Sequence, residues 1–311
     1  MISFQHVSKT YRTVIGVNDL DIEMPLGSYG LVGPNGSGKT TLINLLTGGL
    51  KPSIGKVRIF GCDPWSDRSV LKRIGLCPSS DVLYANVTGF QWVQYLTVLS
   101  GFSRKDAAQR ARQCLQRVGM GDSMDRPMGT YSLGMRQRTK LAQAITHDPE
   151  LLILDEPFNG VDPIGRFEIG NLLKEWTAHG RSLILASHIL HEVEAVTKSF
   201  LLIHAGRLLA SGKASEIQPM LVDIPQEVRL RGDGLAEVAK RIAAENWLVS
   251  LRFSPDRGDM FVAVKEPRAL YRSLVELSRV APINITGVHS PDGNLTAAFD
   301  ALLKVHRGET A

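Results

Sequence analysis

The sequence feature that most constrains the fold is Gly33-Pro34-Asn35-Gly36-Ser37-Gly38-Lys39-Thr40, which has the residue spacing of a phosphate-binding loop. The apolar pair Leu31-Val32 precedes it, and a helix-like stretch follows over residues 41–50. Glycines let backbone N–H groups turn inward around phosphate oxygens, and the positive end of the following helix dipole faces the same point. A strand, a loop and a helix in this order predict an α/β domain with a parallel sheet.

A second apolar stretch, Leu151–Asp155, reads as a buried strand that ends in the carboxylates of Asp155 and Glu156. Beside a phosphate loop, Asp155 is placed to hold Mg²⁺, and Glu156 is placed to act as general base on an attacking water. Lys39 can reach the β- and γ-phosphates, and the Thr40 hydroxyl can ligate Mg²⁺. An acidic turn at a strand end is common by itself, but its pairing with the loop indicates a nucleotide site.

The rest of the chain divides by pattern into two parts. Ser182–Ser187 predicts a third buried strand, and residues 88–148 have helical spacing, with a capping box at Ser103 and Asp106. A proline-containing stretch places a domain boundary between residues 217 and 218. Beyond it the pattern predicts a ferredoxin-like βαββαβ module: strand 227–231, helix 235–245, strand 247–253, strand 260–265, helix 268–279 and strand 283–288, followed by a last helix at 295–306.

Charge and cysteine content narrow the possible functions. The net charge of +5 lies wholly in residues 1–217, because residues 218–311 carry 12 basic and 12 acidic side chains. This mild excess of positive charge suits a polyphosphate ligand or an anionic membrane surface, and it is too weak to indicate binding of duplex DNA.

The three cysteines are widely spaced, which indicates neither a disulfide framework nor a zinc site and favours a reducing cytoplasm. No apolar run approaches the roughly 18 residues of a membrane span, and we expect no secretory signal.

Further motifs resemble those of the ATP-binding subunits of ABC transporters. Tyr131-Ser132-Leu133-Gly134-Met135-Arg136-Gln137 is similar to the family's signature motif, with Gly134 lying 21 residues before Asp155. Asn159-Gly160-Val161-Asp162 is similar to the D-loop, His188 matches the switch histidine, and Tyr11 holds the adenine-stacking position. The combination covers residues 1–217 and is most like the ABC-2-type export ATPases.

The resemblance implies a P-loop NTPase fold of the ABC ATPase type, with its helical subdomain at residues 88–148 and the small α+β module at 218–311. It implies ATP hydrolysis with Mg²⁺, in which Glu156, His188 and Lys39 are catalytic and Thr40, Asp155 and Ser79 hold the metal. The residues implied to bind ATP, some of them from a second ATPase subunit, are Tyr11, Gly33, Pro34, Asn35, Gly36, Ser37, Gly38, Lys39, Thr40, Thr41, Ser132, Gly134 and Asp162.

Three positions depart from the family pattern. Ser79 stands where glutamine is usual, and its side chain is too short to reach metal and water as glutamine does, so the alternative to a direct metal contact is one through a bridging water. Leu133 and Met135 stand where the signature motif carries Gly and Gln, and Phe158 replaces a small polar residue. Because the carboxylates, the lysine and the histidine are all present, we still expect hydrolysis.

The resemblance also implies partners. We expect a homodimer or heterodimer of ATPase subunits that drives a polytopic permease in a separate chain, at the cytoplasmic face of the cell membrane, and that binds no nucleic acid. Two alternatives are a degenerate regulatory subunit of a heterodimer and a soluble ABC ATPase without a transport role. For the C-terminal module, an RNA-binding reading is disfavoured by its neutral charge, and a regulatory or dimer-stabilising role is the simpler expectation.

Overall fold

The structure, a computed structural model, describes residues 1–80, 84–217, 226–256, 258–280 and 283–289. The chain divides into two compact units, Met1–Gly212 and Lys213–Ala311. This division comes before the boundary expected after residue 217, because a short helix at Ala214–Ile217 groups with the second unit. Within the described ranges, no helix combines the length and the apolar character needed to cross a membrane.

The first unit alternates strands and helices. In chain order its elements are β1 (Ile2–Tyr11), β2 (Val14–Met24), β3 (Ser28–Val32), α1 (Lys39–Leu46), β4 (Ile54–Ile59), β5 (Ile74–Cys77), α2 (Gly89–Leu99), α3 (Arg104–Arg117), α4 (Leu133–Ile145), β6 (Leu151–Asp155), α5 (Pro163–Ala178), β7 (Ser182–Ser187), α6 (Leu190–Glu194), β8 (Ser199–His204) and β9 (Arg207–Lys213).

The main sheet has six strands in the order β5-β6-β7-β3-β8-β9, and the pairs from β5 through to β8 are parallel. All residues of β6 and β7 are buried, as expected for apolar strands that are covered on both faces. Parallel strands leave a sheet at one edge, so the residues after β3, β6 and β7 meet there. The register places Val32 opposite Ser187 and Asp155 opposite Ala186.

Helix α1 is shorter than the sequence pattern indicates. The sequence pattern predicts a helix over residues 41–50 with Gly48-Gly49 and Pro52 as its stop signals, whereas the helix runs from Lys39 to Leu46 with Thr47 as its C-cap. The cause is Gly48, which has a φ of +62° and whose missing Cβ would lie 2.1 Å from the carbonyl oxygen of Pro64. The left-handed conformation of Gly48 ends the helix, and the nearby carbonyl leaves no room for a side chain there.

A second, antiparallel sheet has the order β2-β1-β4 and carries Tyr11 at the end of β1. The helical subdomain consists of α2, α3 and α4, within the expected residues 88–148. The Ser103 hydroxyl accepts a hydrogen bond from the Asp106 N–H at 3.1 Å, which confirms Ser103 as the N-cap of α3. The Asp106 carboxylate accepts a bond from the Ser103 hydroxyl at 2.7 Å, rather than the backbone bond of a full capping box.

The second unit contains α7 (Ala214–Ile217), β10 (Gln226–Asp233), α8 (Leu235–Ile242), β11 (Leu248–Phe253), β12 (Asp259–Val264), α9 (Pro267–Val280) and β13 (Asn284–His289). Its sheet has the order β11-β12-β10-β13 with every pair antiparallel, which confirms the ferredoxin-like arrangement. Alternate strand residues such as Val228, Leu230 and Val262 pack with α8 and α9 in one core. The helix expected at 295–306 lies outside the described residues.

An ion cluster joins two strands of this sheet. The Asp259 carboxylate, at the start of β12, accepts hydrogen bonds from the guanidinium groups of Arg229 and Arg231 on β10. Arg231 first, and then Arg229, hold the pKa of Asp259 well below its usual range. The cluster therefore stabilises the pairing of β10 with β12 while Asp259 is ionised.

Candidate active site

The phosphate loop connects β3 to α1 at the carboxyl edge of the main sheet, and the first backbone N–H groups of α1 face the space above it. Gly38 has a φ of +110°, and a Cβ there would lie 2.4 Å from the carbonyl oxygen of Gly16. Only glycine fits this position. A cavity of about 360 Å³ opens beside the loop; it is lined by Tyr11, Val14, Ile15, Gly16, Asn35, Gly36, Ser37, Gly38, Lys39, Thr40, Thr41, Ser79, Asp155 and Glu156.

Lys39 is folded back over the loop. Its ammonium donates hydrogen bonds to the carbonyl oxygens of Gly33 at 2.7 Å and Pro34 at 3.3 Å. The same ammonium lies 3.5 Å from Oε1 of Glu156, and both side chains are nearly buried. The cation that the sequence assigns to the phosphates and the carboxylate that it assigns to catalysis are therefore paired with each other.

Asp155 has the features of a metal-binding carboxylate. It is only 2% exposed, and its Oδ2 accepts hydrogen bonds from Thr40 Oγ1 at 3.0 Å and Ser79 Oγ at 2.9 Å. Across the described ranges its Oδ1 finds no hydrogen-bond partner, which is a costly state for a buried carboxylate oxygen. Mg²⁺ prefers oxygen ligands of this kind, so the three residues fit the metal that the sequence predicts.

Ser79 therefore contacts Asp155 directly, although its side chain is shorter than the glutamine usual at this position. Residues of β5 pair in parallel with β6, and Cys77 lies opposite Leu154. Ser79, two residues beyond Cys77, is therefore carried to Asp155, one residue beyond Leu154. The serine contacts the carboxylate directly, whereas its contact with a metal stays a prediction.

Glu156 lies just beyond β6 in the left-handed backbone region, with a φ of +53° that is rare for a residue with a side chain. Its N–H donates to the carbonyl oxygen of Ala186 at 2.8 Å, which extends the β6–β7 pairing by one bond. Its carboxylate accepts bonds from the His188 backbone N–H at 3.1 Å and from His188 Nδ1 at 2.9 Å. Because a carboxylate only accepts, Nδ1 carries the proton in this arrangement.

Tyr11 lines the cavity near the first turn of α1, where its hydroxyl lies 3.4 Å from Thr41 Oγ1. A Cβ on Gly16 would lie 2.8 Å from the Tyr11 ring, so glycine leaves room for the ring in its present position. The ring is partly exposed and lines the cavity, as an adenine-stacking side chain must.

Ser132, Gly134 and Asp162 lie outside the set of residues that line this cavity. Ser132 and Asp162 are helix N-caps, with their side chains accepting bonds from Met135 N–H at 3.3 Å and Gly165 N–H at 3.0 Å. Gly134 packs near Gly160, since a Cβ there would lie 3.2 Å from its carbonyl oxygen. Their contact with a nucleotide held by another subunit stays a prediction.

Several site residues were missed by sequence reasoning. Val14, Ile15 and Gly16 line the cavity from the hairpin that follows Tyr11, and their position directly after the aromatic residue was an available signal. Gln137, on α4, donates to the Glu156 carbonyl oxygen at 3.4 Å, and Ser187, directly before His188, donates towards the Glu156 carboxylate at 3.3 Å. No spacing rule connects Gln137 to Glu156, because α4 and β6 meet only in the folded chain.

Comparison with known proteins gives consistent matches. The family model described as ABC transporter matches residues 17–159. An uncharacterized ABC transporter ATP-binding protein of Nostoc sp. is 34% identical over 80% of this chain and 74% of the relative. The daunorubicin/doxorubicin resistance ATP-binding protein DrrA of Streptomyces peucetius is 32% identical over 87% of this chain and 83% of the relative. The bacitracin transport ATP-binding protein BcrA of Enterococcus faecalis is 35% identical over 70% of each chain.

Solved structures match the fold. The ATP-binding subunit of an ABC transporter superposes with a TM-score of 0.65 at 25% identity, covering 71% of this chain and 93% of that chain. A dimeric bacterial ABC transporter cassette, MJ0796, superposes with a TM-score of 0.64 at 21% identity, covering 68% of this chain and 98% of that chain. The second likeness concerns the fold alone.

Proposed function

The chain belongs to the ABC transporter family as an ATP-binding subunit with the ATPase fold, and we propose that it drives export through a separate membrane permease. Relatives named for transport of, or resistance to, daunorubicin and bacitracin support the export class. In this proposal two ATPase subunits, identical or different, close on ATP and pull on a polytopic permease from the cytoplasmic face of the membrane.

The observation that carries the proposal is the group of charged side chains beside the phosphate loop. Glu156 lies 3.5 Å from the Lys39 ammonium and 2.9 Å from His188 Nδ1. Asp155, the preceding residue, accepts hydrogen bonds from two hydroxyls. A purely structural strand end has no need for a nearly buried lysine and two nearly buried carboxylates. Together they provide a phosphate-binding cation, a metal-binding carboxylate and a base.

The chain's own residues account for binding. Phosphate oxygens of ATP would accept bonds from the loop N–H groups and from Lys39, which exchanges the Gly33 and Pro34 carbonyl oxygens for them. Thr40, Asp155 and Ser79 would hold Mg²⁺, whose positive charge offsets the negative charge on the phosphates. Tyr11 would stack on the adenine ring.

The same residues account for hydrolysis. Once Lys39 moves to the phosphates, the Glu156 carboxylate accepts a proton from a water molecule whose oxygen forms the new bond to the γ-phosphorus, while the bond from that phosphorus to the bridging oxygen breaks. His188 holds Glu156 through two hydrogen bonds, from its backbone N–H and from Nδ1. Fixing the base in this way is a contribution of positioning.

The test is steady-state ATP hydrolysis by the full chain carrying Glu156→Gln. Turnover should fall by about 10²–10⁴-fold, the usual contribution of a general base, while ATP binding is retained. Glu194→Gln serves as a matched control, because Glu194 is an exposed glutamate on α6. Unchanged turnover of the Glu156 variant would refute its assignment as the base.

The two alternative functions are separated by ATP turnover measured with and without a second ATPase subunit, and by co-purification. A degenerate regulatory subunit would hydrolyse no ATP alone and would show turnover only when mixed with a second ATPase subunit. A soluble ABC ATPase would be active yet would never co-purify with a polytopic membrane protein expressed from a neighbouring reading frame. Active enzyme that co-purifies with such a protein supports the transport proposal.

A further inference from the structure

Glu192 is a nearly buried carboxylate that the proposed hydrolysis does not use. It lies on the short helix α6, four residues after His188, and its side chain is 8% exposed. Its Oε1 accepts a hydrogen bond from Arg166 Nη1 at 2.8 Å, and its Oε2 accepts one from Ser187 Oγ at 3.2 Å. Glutamate is seldom buried without a paired charge, and here Arg166 supplies that charge.

Ser187 connects this carboxylate to Glu156. The serine is completely buried, and its Oγ lies 3.3 Å from Glu156 Oε2 as well as 3.2 Å from Glu192 Oε2. The same oxygen accepts a bond from the Ile189 N–H at 3.0 Å, which limits rotation of the hydroxyl. A hydroxyl has one proton to donate, so the two carboxylates share it.

Arg166 holds Glu192, at the other end of this series of hydrogen bonds from Glu156. It lies in the first turns of α5, where its Nε donates to the carbonyl oxygen of Val161 at 2.9 Å while Nη1 holds Glu192. Because the guanidinium is planar and rigid, two partners on different nitrogens define its orientation. The turn that precedes α5, Arg166, Glu192 and Ser187 thus form a continuous series of hydrogen bonds that ends on Glu156.

We propose that Glu192 is a positioning residue for Glu156, acting through Ser187. Held in place by Arg166, Glu192 draws the Ser187 proton to itself and leaves the Glu156 oxygen available to the attacking water. Without Glu192, the Ser187 hydroxyl donates wholly to Glu156 and competes with that water for the same oxygen. The inference rests on the proposed function, in which Glu156 is the base.

The experiment measures ATP turnover and nucleotide affinity of the full chain with Glu192→Ala. We expect kcat to fall about tenfold, the rate equivalent of one hydrogen bond of about 1.4 kcal/mol, while KM and the affinity for a non-hydrolysable ATP analogue stay within about twofold. Glu192→Gln, which keeps the length and an acceptor oxygen, should recover part of the lost turnover. The matched control is Glu194→Ala, an exposed residue of the same helix, with kcat equal to that of the unmodified chain.

Two further variants make the result decisive. Ser187→Ala removes the competing hydroxyl with little change in volume, so it should keep kcat within about twofold of the unmodified chain, and when added to Glu192→Ala it should recover the lost turnover. If Glu192→Ala does not fold, Glu192→Gln carries the same test, and its partial loss of kcat should likewise be recovered by Ser187→Ala. Added to Glu156→Gln, the Glu192→Ala change should have no further effect on turnover, because the group that it positions is absent. An additional loss in that background would overturn the inference.

The remaining outcomes separate the two proposals. Wild-type turnover in Glu192→Ala, or no recovery when Ser187→Ala is added to Glu192→Ala, with turnover abolished by Glu156→Gln, would refute the positioning role and leave the proposed function standing. A parallel loss of kcat, analogue affinity and thermal stability in Glu192→Ala, without recovery by Glu192→Gln, would mark a purely structural role and also refute it. Full turnover in Glu156→Gln would instead refute the proposed function.

Discussion

Replacing Ser79 by alanine tests how the unusual serine contributes to the metal-binding carboxylate. Ser79 Oγ and Thr40 Oγ1 are the two donors to Oδ2 of Asp155, which is almost completely buried. A hydrogen bond to a charged group contributes about 1.5–3 kcal/mol to stability. Because Ser79 itself is exposed, water can replace part of the lost contact, so we take about 1–1.5 kcal/mol.

This free energy converts to a measurable shift. For a domain of 150–250 residues, each kcal/mol changes the unfolding temperature by about 2–4 °C, so the nucleotide-free Ser79→Ala chain should unfold about 2–6 °C lower in differential scanning calorimetry. Ser80→Ala is the matched control, since Ser80 is the next residue and is also exposed. Equal unfolding temperatures for the two variants and the unmodified chain would refute the argument that Ser79 stabilises Asp155.

A second measurement with the same variant addresses the metal. If Ser79 helps to hold Mg²⁺, the Mg²⁺ concentration that gives half-maximal turnover should rise about tenfold in Ser79→Ala, the lower end of the usual effect of losing a group that supports a metal ligand. An unchanged Mg²⁺ dependence, together with the lower unfolding temperature, would restrict Ser79 to the carboxylate contact.

Two more predictions follow from other contacts. Tyr11→Ala should weaken ATP binding in equilibrium titrations by about 5–150-fold, because stacking on a base contributes about 1–3 kcal/mol. Tyr11→Phe keeps the ring and should bind ATP almost normally. Equal ATP affinities of the two variants would contradict the assignment of Tyr11 to the adenine site. Asp259→Asn should lower the unfolding temperature of the second unit at pH 7. The arginines lower the pKa of folded Asp259, so the unfolded chain takes up the proton first as the pH falls. The stabilisation is therefore complete above about pH 4, the ordinary pKa of an aspartate, and is lost below it. A difference from the unmodified chain that persists undiminished well below pH 4, in melts followed by circular dichroism with Asp233→Asn as control, would contradict this assignment.

The sequence was most informative where one physical requirement determines the pattern. Strands β6 and β7 have the predicted bounds because a strand covered on both faces must be apolar throughout and must end where polar residues begin. The order of elements in the second unit was likewise predicted from alternation and turns. The stop signal at Gly48 was visible in the sequence although the end of α1 was placed at residue 50; the carbonyl oxygen of Pro64, which prevents a side chain at Gly48, is distant in sequence and was not predictable.

The active site was predictable in its motifs and unpredictable in the connections between them. Glu156 was identified from its position after a strand and His188 from the family resemblance, yet nothing in the spacing shows that Ser187 and Glu192 also converge on them. Ser79 shows the same limit, since its distance from Asp155 depends on the register between β5 and β6. Side chains brought together by three separate elements can be found only from the folded chain.

The contact of 3.5 Å between Lys39 and Glu156 has a consequence for selectivity among ligands. Each of these charged groups serves as the counter-ion of the other in this arrangement, so the carboxylate of the base is held by the lysine. A ligand frees the carboxylate only if it carries enough negative charge to take the ammonium away. Adenosine lacks that charge and a triphosphate has it, so in the proposed mechanism the base is released by the arrival of the molecule on which it acts.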